Sequence, residues 1–270
     1  MGTCPPRTAV LMCHAPIVIP PIGQDRAGDC EATTSAMKAA ALAVVRSGAG
    51  TVVVVSPHTP RHRKAFGVVT GEVLHGDFHA FGIKGLEATF RNAVEVGAAV
   101  SHKAGKVGLP VSPSDVHALD HGAMVPLWFL AQAGFAGEAV VFGFPWESGP
   151  GDNQRFGKVL SAAMHDLGRS WALVASGDMS HALKLGAPSG FHPMAHTFDE
   201  AVVACVQEGR IGDVAGLDPK LRSLAAEDVV ESLETACGAT GADPAGLRFL
   251  SYEAPFGVGY LVAILREAGA

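Results

Sequence analysis

The stretch TVVVVSPH, residues 51–58, decides the fold. Its four consecutive valines indicate a strand that is buried on both faces, as the strands of a parallel sheet are. Prolines before and after His58 keep this residue, which follows the strand, out of a helix interior. The preceding residues 29–47 carry Ala, Met, Leu and Val at helical spacing, and another short apolar run, Ala9–Met12, comes before them. The order strand, helix, strand predicts two parallel strands joined by a crossover helix.

The same alternation continues along the rest of the chain. Further buried strands are predicted at Glu138–Phe142, Trp171–Ala175, Leu247–Leu250 and Val258–Leu265. Further helices are predicted at Leu86–Lys103, His121–Ala133, Asn153–Leu167, Phe198–Glu208 and Ala226–Cys237. We therefore predict an α/β fold, with residues 1–270 in a single domain whose central, largely parallel or mixed sheet is covered by helices on both faces.

The composition excludes several classes of protein. The chain has 270 residues, of which 48% are hydrophobic, and its formal net charge of −6 does not suit a large electrostatic contact with nucleic acid. Five cysteines without a C-x-x-C pair indicate neither a zinc knuckle nor a disulfide scaffold, and reduced thiols predict a cytoplasmic protein. No apolar stretch is uninterrupted enough for a transmembrane helix, so no membrane partner is expected. The apolar segment Val125–Leu130 is consistent with a homo-oligomer.

The twelve histidines raise the expectation of metal or proton chemistry. His14, His58, His181 and Glu253 each follow a different predicted strand. Because functional side chains gather beyond the carboxyl ends of the strands in such sheets, we expect these four to converge. Two histidines and one carboxylate on one face of an ion form the facial triad of non-haem Fe(II) oxygenases, which leaves coordination positions open for substrate and dioxygen.

Each of these residues also has a structural interpretation. The alternative for His14 is a hydrogen-bonded structural residue, and the alternative for His181 is a cap of the segment in which it lies. Glu253 has the alternatives of a helix cap or a surface charge, although an unpaired carboxylate among apolar neighbours is costly. His121 follows Asp120 at the start of a predicted apolar helix, so its alternative is an N-terminal helix residue held by Asp120.

Six short motifs occur in order from one end of the chain to the other. They are His14-Ala15-Pro16 with Ile19-Pro20 and Gly23, Ser56-Pro57-His58-Thr59-Pro60, Gly76-Asp77-Phe78, Leu119-Asp120-His121-Gly122, Ala175-Ser176-Gly177-Asp178-Met179-Ser180-His181 and Ser251-Tyr252-Glu253-Ala254-Pro255-Phe256-Gly257. This ordered set resembles the class III extradiol ring-cleavage dioxygenases of the catalytic B-subunit type, in particular the Memo-like branch, also called AmmeMemoRadiSam system protein B. The resemblance implies a single α/β domain, in agreement with the alternation of strands and helices.

The resemblance also implies a role for each site residue. His14, His58 and Glu253 match the family's iron ligands, His181 matches its acid–base histidine, and His121 matches a second pocket histidine that touches substrate or dioxygen. The implied cofactor is Fe(II), with zinc or another divalent metal as the alternative. The implied reaction is the opening of a small aromatic diol by O2, for which some members use a separate small helical partner subunit.

Two other functions fit the same residues. One is a Memo-like metal-binding or redox partner protein without ring-cleaving activity. The other is a zinc-dependent hydrolase, because two histidines and a glutamate also suit catalytic zinc. The absence of an H-E-x-x-H motif disfavours the common zinc-protease design, and His121 and His181 favour oxygen chemistry.

Overall fold

The computed structural model describes residues 2–58 and 60–268. Its strands are β1 (Thr8–Met12), β2 (Thr51–Ser56), β3 (Phe66–Val69), β4 (Val73–Asp77), β5 (Glu87–Arg91), β6 (Val111–Ser114), β7 (Glu138–Gly143), β8 (Trp171–Ser176), β9 (Arg248–Glu253) and β10 (Tyr260–Glu267). Its helices are α1 (Pro20–Gly23), α2 (Glu31–Arg46), α3 (Val94–Lys106), α4 (His121–Gln132), α5 (Asp152–Asp166), α6 (Ala195–Gln207), α7 (Pro219–Ala225) and α8 (Val230–Thr240). Within the described residues, none of these helices is both long and apolar enough to cross a membrane.

Eight of the strands form one sheet in the order β6-β3-β7-β2-β8-β1-β10-β9, and β4 pairs with β5 in a separate hairpin. The four central strands, β7, β2, β8 and β1, are parallel. On one side β3 joins β7 antiparallel, and on the other side β10 joins β1 antiparallel. The sheet is therefore mixed, and the carboxyl ends of its four central strands lie at one edge. The predicted α/β fold class is confirmed.

Both faces of the sheet are covered by helices. Val53 and Val55 of β2 belong to a core that includes side chains of α3, α5, α6 and α8. Val52 and Val54 belong to a second core that includes side chains of α2 and α4. Successive side chains of a strand point to opposite faces, so the four valines divide evenly between the two cores. Since burial of a valine side chain contributes about 1.5–3 kcal/mol, β2 is a firmly held support for the residues that follow it.

Residues 86–103, predicted as one helix, contain two different elements. In β5 the side chains alternate between exposed and buried, with Ala88 and Phe90 pointing inward, and α3 begins only at Val94. The prediction of a continuous helix is wrong here, because the first apolar positions follow the two-residue period of a strand. The short strands β3, β4 and β6 were also not predicted.

The helix predicted at Ala226–Cys237 begins four residues later, at Val230. Ala226 adopts the left-handed conformation with φ of 52°, which ends α7 and cannot continue a right-handed helix. The Glu227 carboxylate accepts hydrogen bonds from the backbone N–H groups of Val229 and Val230, and thereby caps α8. Asp228 therefore lies in a connecting loop and not on the helix.

Candidate metal centre

Three histidines approach one point at the carboxyl edge of the sheet. His14 lies two residues after β1, His58 lies two residues after β2, and His121 is the first residue of α4. Their possible ligand atoms all lie within 4.8 Å of one another. The structure thus brings together three of the five residues for which a site role was predicted.

His14 is held in one orientation and one tautomer by its neighbours. Its backbone N–H donates to Oδ1 of Asp178 at 2.9 Å, and its side chain is only 1% exposed. The imidazole Nδ1 lies 3.1 Å from the hydroxyl of Ser176, and that hydroxyl donates its own proton to the carbonyl of Gly122. The hydroxyl must therefore accept from Nδ1–H, which assigns the tautomer from the hydrogen-bond network. Nε2 of His14 faces the centre of the cluster.

His58 and His121 pack against the same point from the other side. Nε2 of His58 lies 3.1 Å from Nε2 of His14, and the ring centroids of His58 and His121 are 4.4 Å apart. Gly122 makes this approach possible, because a Cβ at that position would lie 2.6 Å from Cδ2 of His58. A side chain at position 122 would thus displace His58.

The carboxylate nearest to these imidazoles belongs to Asp228. Its Oδ2 lies 3.4 Å from Nε2 of His14 and 3.5 Å from Nε2 of His58. Its Oδ1 accepts a hydrogen bond of 2.7 Å from the backbone N–H of Asp178, which fixes the direction of the carboxylate. Asp228 was not among the site residues predicted from the sequence. The one feature that could have drawn attention to it is the acidic pair Glu227-Asp228, which directly precedes a helix with apolar residues.

The structure does not bring Glu253 into this group. Its Oε1 accepts hydrogen bonds from the backbone N–H and the hydroxyl of Thr33, at 2.7 and 2.5 Å, in the first turn of α2. Strand β10 lies between β1 and β9, so two strand spacings, or about 10 Å, separate the backbone of Glu253 from that of His14. Glu253 thus makes the helix-capping contact that was its alternative, its predicted role as a metal ligand stays a prediction, and Asp228 is the carboxylate that lies beside the histidines.

The charges of the cluster favour one resident cation. Burial by itself would lower the pKa of His14. The negative charges of Asp178 and Asp228 have the larger combined effect, and they raise the pKa of His14 to about 9. Burial, together with the charge on His14, lowers the pKa of His58 to about 4. Burial acts to raise the pKa of Asp228, but the charge on His14 lowers it to about 2. The Asp228 carboxylate therefore lies beside a positively charged His14, and a divalent ion is able to replace the proton on that imidazole.

His181 lies beside this cluster with one ring nitrogen engaged. Its Nδ1 lies 2.8 Å from the carbonyl oxygen of Ala226, so Nδ1 carries the proton and donates it. Its backbone N–H donates to the carbonyl of Ala225 at 2.8 Å. Nε2 is therefore the basic nitrogen of this imidazole. The same loop that positions His181 also carries Asp228.

An open cleft of about 500 Å³ gives access to the cluster. His14, His58, His121 and His181 all line it. Its remaining walls are mainly apolar, and the ring of Phe81 lies roughly perpendicular to that of His121, with ring centroids 5.8 Å apart. The volume lies in the range of cavities that hold small organic ligands.

The donor atoms fit a divalent metal ion. Two ligands that are each about 2.1 Å from one ion lie about 3.0–3.4 Å apart at octahedral or tetrahedral angles. The three distances among Nε2 of His14, Nε2 of His58 and Oδ2 of Asp228 are 3.1, 3.4 and 3.5 Å. Two imidazoles and one carboxylate suit both ferrous iron and zinc. His121 offers a third imidazole to the same point.

Comparisons with known proteins agree with the fold. Residues 8–263 match the family model described as the catalytic LigB subunit of aromatic ring-opening dioxygenase. Protein CA_C1420 of Clostridium acetobutylicum is 26% identical over 259 residues, which cover 93% of this chain and 55% of that protein. The chain therefore spans about half the length of this curated relative. The crystal structure of an uncharacterized protein, JW3007 from Escherichia coli K12, shares the fold with a TM-score of 0.67 and 19% identity, over 96% of this chain and 98% of that one.

Proposed function

This chain belongs to the LigB family of catalytic subunits of aromatic ring-opening dioxygenases, and on that premise we propose that it is an Fe(II)-dependent extradiol dioxygenase that opens a catechol-type ring with O2. One observation carries the proposal. Nε2 of His14, Nε2 of His58 and Oδ2 of Asp228 lie 3.1–3.5 Å from one another at the base of an open cleft. A set of two histidines and one carboxylate leaves coordination positions free for a chelating diol and for dioxygen.

His14, His58 and Asp228 would hold the ion. Ser176 fixes the His14 tautomer with its lone pair toward the ion, and the backbone N–H of Asp178 fixes the Asp228 carboxylate. When bound, ferrous iron supplies a Lewis acid that favours the ionised diol and a redox centre that reacts with dioxygen. One carboxylate against a divalent ion leaves a net positive charge, which attracts an anionic diol.

His181 serves as the general base of this proposal. Its Nδ1–H is committed to the Ala226 carbonyl, so Nε2 is available to accept a proton from the diol. After protonation the same carbonyl continues to accept from Nδ1–H, which stabilises the imidazolium until the proton returns to an oxygen of the product. The acid–base work is thus done by one side chain with a fixed orientation.

His121 serves as a neutral hydrogen-bonding group next to the reacting oxygens. Burial, together with the charge on His14, lowers its pKa, so the imidazole is uncharged near neutral pH. Its ring lies 5.5 Å from that of His14 and 4.4 Å from that of His58, between centroids. This position suits contact with substrate or dioxygen.

The test is oxygen uptake by protein loaded with Fe(II) under argon and then mixed with aerated solutions of a panel of catechols. We expect one O2 consumed for each ring opened, with the absorbance of a ring-opened product. The three imidazoles of His14, His58 and His121 also form a donor set that zinc accepts, which supports a zinc hydrolase as the second candidate. Tight zinc without oxygen uptake by the iron form would favour that hydrolase or a Memo-like metal-binding role.

A further inference from the structure

We propose that the ring substituents of the catechol taken by this cleft are uncharged and apolar, so that the protein discriminates against catechols that carry a carboxylate. This inference rests on the proposed function and adds the substrate class to it. It concerns the part of the substrate that extends from the diol toward the mouth of the cleft.

The outer walls of the cleft offer no partner for an anion. They are formed by apolar side chains, among them Ile17, Ile22, Phe81, Pro188 and Val258. Of the described residues that line the cleft, none is a lysine or an arginine. A carboxylate placed among such groups loses its hydration without gaining an ion pair, which is strongly unfavourable.

The two acidic residues near the cleft add no positive charge to its outer walls. Asp178 lines it, and Asp228 lies next to the same histidines. A metal ion at the histidines neutralises the diol oxygens that approach it, but a substituent on the far side of the ring is several ångströms farther away. A charged substituent there finds no lysine or arginine among the residues that line the cleft.

The arginine that follows Ile22 in the chain is already engaged. The guanidinium of Arg26 lies 4.2 Å above the ring of Phe256, and its Nε lies 3.7 Å from Oδ2 of Asp29. Tyr260 is a polar residue of the wall, and burial, followed by the charge of Asp178, raises the pKa of its hydroxyl. The hydroxyl is thus a neutral group that supplies no counter-ion for a carboxylate.

The experiment compares two ligands that differ in charge and little in size, methyl 3,4-dihydroxybenzoate and 3,4-dihydroxybenzoate. Their dissociation constants are measured by calorimetry on the Fe(II) protein under argon, and kcat/KM is measured for both in air. We expect the ester to bind at least about tenfold more tightly than the acid, the scale on which an unpaired buried charge is rejected.

A pair of variants at Ile22 tests the cause. Ile22 is half-buried, so a longer side chain there is able to reach both the cleft and solvent. Ile22→Lys places a cation at the wall and should reduce the preference for the ester at least about tenfold, whereas Ile22→Met, of similar length and uncharged, should keep it.

The outcomes separate this inference from the proposed function. If the acid binds as tightly as the ester and either compound is opened with O2, the substrate class is wrong and the proposed function stands. If Ile22→Met changes the preference as much as Ile22→Lys, charge is not the cause and the inference is overturned. If neither compound binds and no catechol supports oxygen uptake, the proposed function fails and this inference fails with it.

Discussion

Replacement of Asp228 by asparagine should weaken metal binding, whereas replacement of Glu253 by glutamine should not. Both changes remove one negative charge and keep the shape of the side chain. Oδ2 of Asp228 lies 3.4 and 3.5 Å from the two imidazole nitrogens, while Oε1 of Glu253 accepts from Thr33 at the start of α2. The two variants therefore separate the carboxylate that the structure places at the centre from the one that the sequence suggested.

The expected magnitudes follow from these contacts. Loss of a group that merely orients a metal ligand typically costs about 10- to 100-fold in affinity, so loss of a direct carboxylate ligand should cost at least about 100-fold, or about 2.7 kcal/mol. Glu253→Gln instead weakens a charge–dipole contact at a helix N-terminus and two charge-assisted hydrogen bonds, a loss of about 1–2 kcal/mol. For a chain of this size that loss lowers Tm by about 2–8 °C.

The assay is competition for Fe(II) with a chromophoric chelator under argon, repeated with Zn(II), together with thermal unfolding of each protein. Circular dichroism establishes that both variants are folded before their affinities are compared. We expect a large loss of affinity in Asp228→Asn, and parental affinity with a lower Tm in Glu253→Gln. Equal loss of affinity in both variants, or parental affinity in Asp228→Asn, would refute the assignment of Asp228 as the ligand.

Three further variants test the site and its support. His181→Ala should keep the metal but lower kcat by about 100- to 10,000-fold, the usual contribution of a general base, and loss of metal would contradict its role. Gly122→Ala puts a carbon 2.6 Å from Cδ2 of His58, so His58 should be displaced and metal affinity should fall at least about tenfold. Unchanged affinity would show that the first turn of α4 shifts and His58 stays in place. Burial raises the pKa of Asp199 from 3.8 to about 6. The folded chain thus binds this proton more readily than the unfolded chain, and the free energy of unfolding should fall by up to about 3 kcal/mol as pH rises from about 4 to 6. In Asp199→Asn the free energy of unfolding should not fall over this pH range. If parent and variant show the same pH dependence of the free energy of unfolding, Asp199 is not its cause.

The features that the sequence predicted well are those with local signals. The four valines of β2 specify a strand buried on both faces wherever it lies in the sheet, and the structure divides them between two cores. His58 follows this strand directly, and His14 follows β1 in the same way. Because β1 and β2 are both parallel to β8, the residues that follow them lie at the same edge of the sheet. A prediction of parallel strands is therefore enough to place His14 and His58 together.

The carboxylate of the site depends on information that is not local. Glu253 and Asp228 are both acidic residues next to apolar segments, and nothing within a few residues distinguishes them. Strand order separates the backbone of Glu253 from that of His14, because β10 lies between β1 and β9. Asp228 lies near His14 because α7 ends before the left-handed Ala226 and the chain continues as a loop. The strand order and the conformation of Ala226 both depend on tertiary packing, and the pattern of residue types along the chain does not predict that packing.

His181, the proposed base, and Asp228, the proposed carboxylate ligand, are joined by hydrogen bonds around the left-handed Ala226. The backbone N–H of Asp178 donates to the Asp228 carboxylate, and the backbone N–H of Asp228 donates to the carbonyl of Asp178. Three residues along from Asp178, His181 donates to the carbonyls of Ala225 and Ala226. A residue other than glycine with positive φ costs about 1–3 kcal/mol, and these four hydrogen bonds offset that cost. These hydrogen bonds link the segment of His181 to the loop of Asp228 on both sides of Ala226, so the fold positions the two side chains by the same contacts.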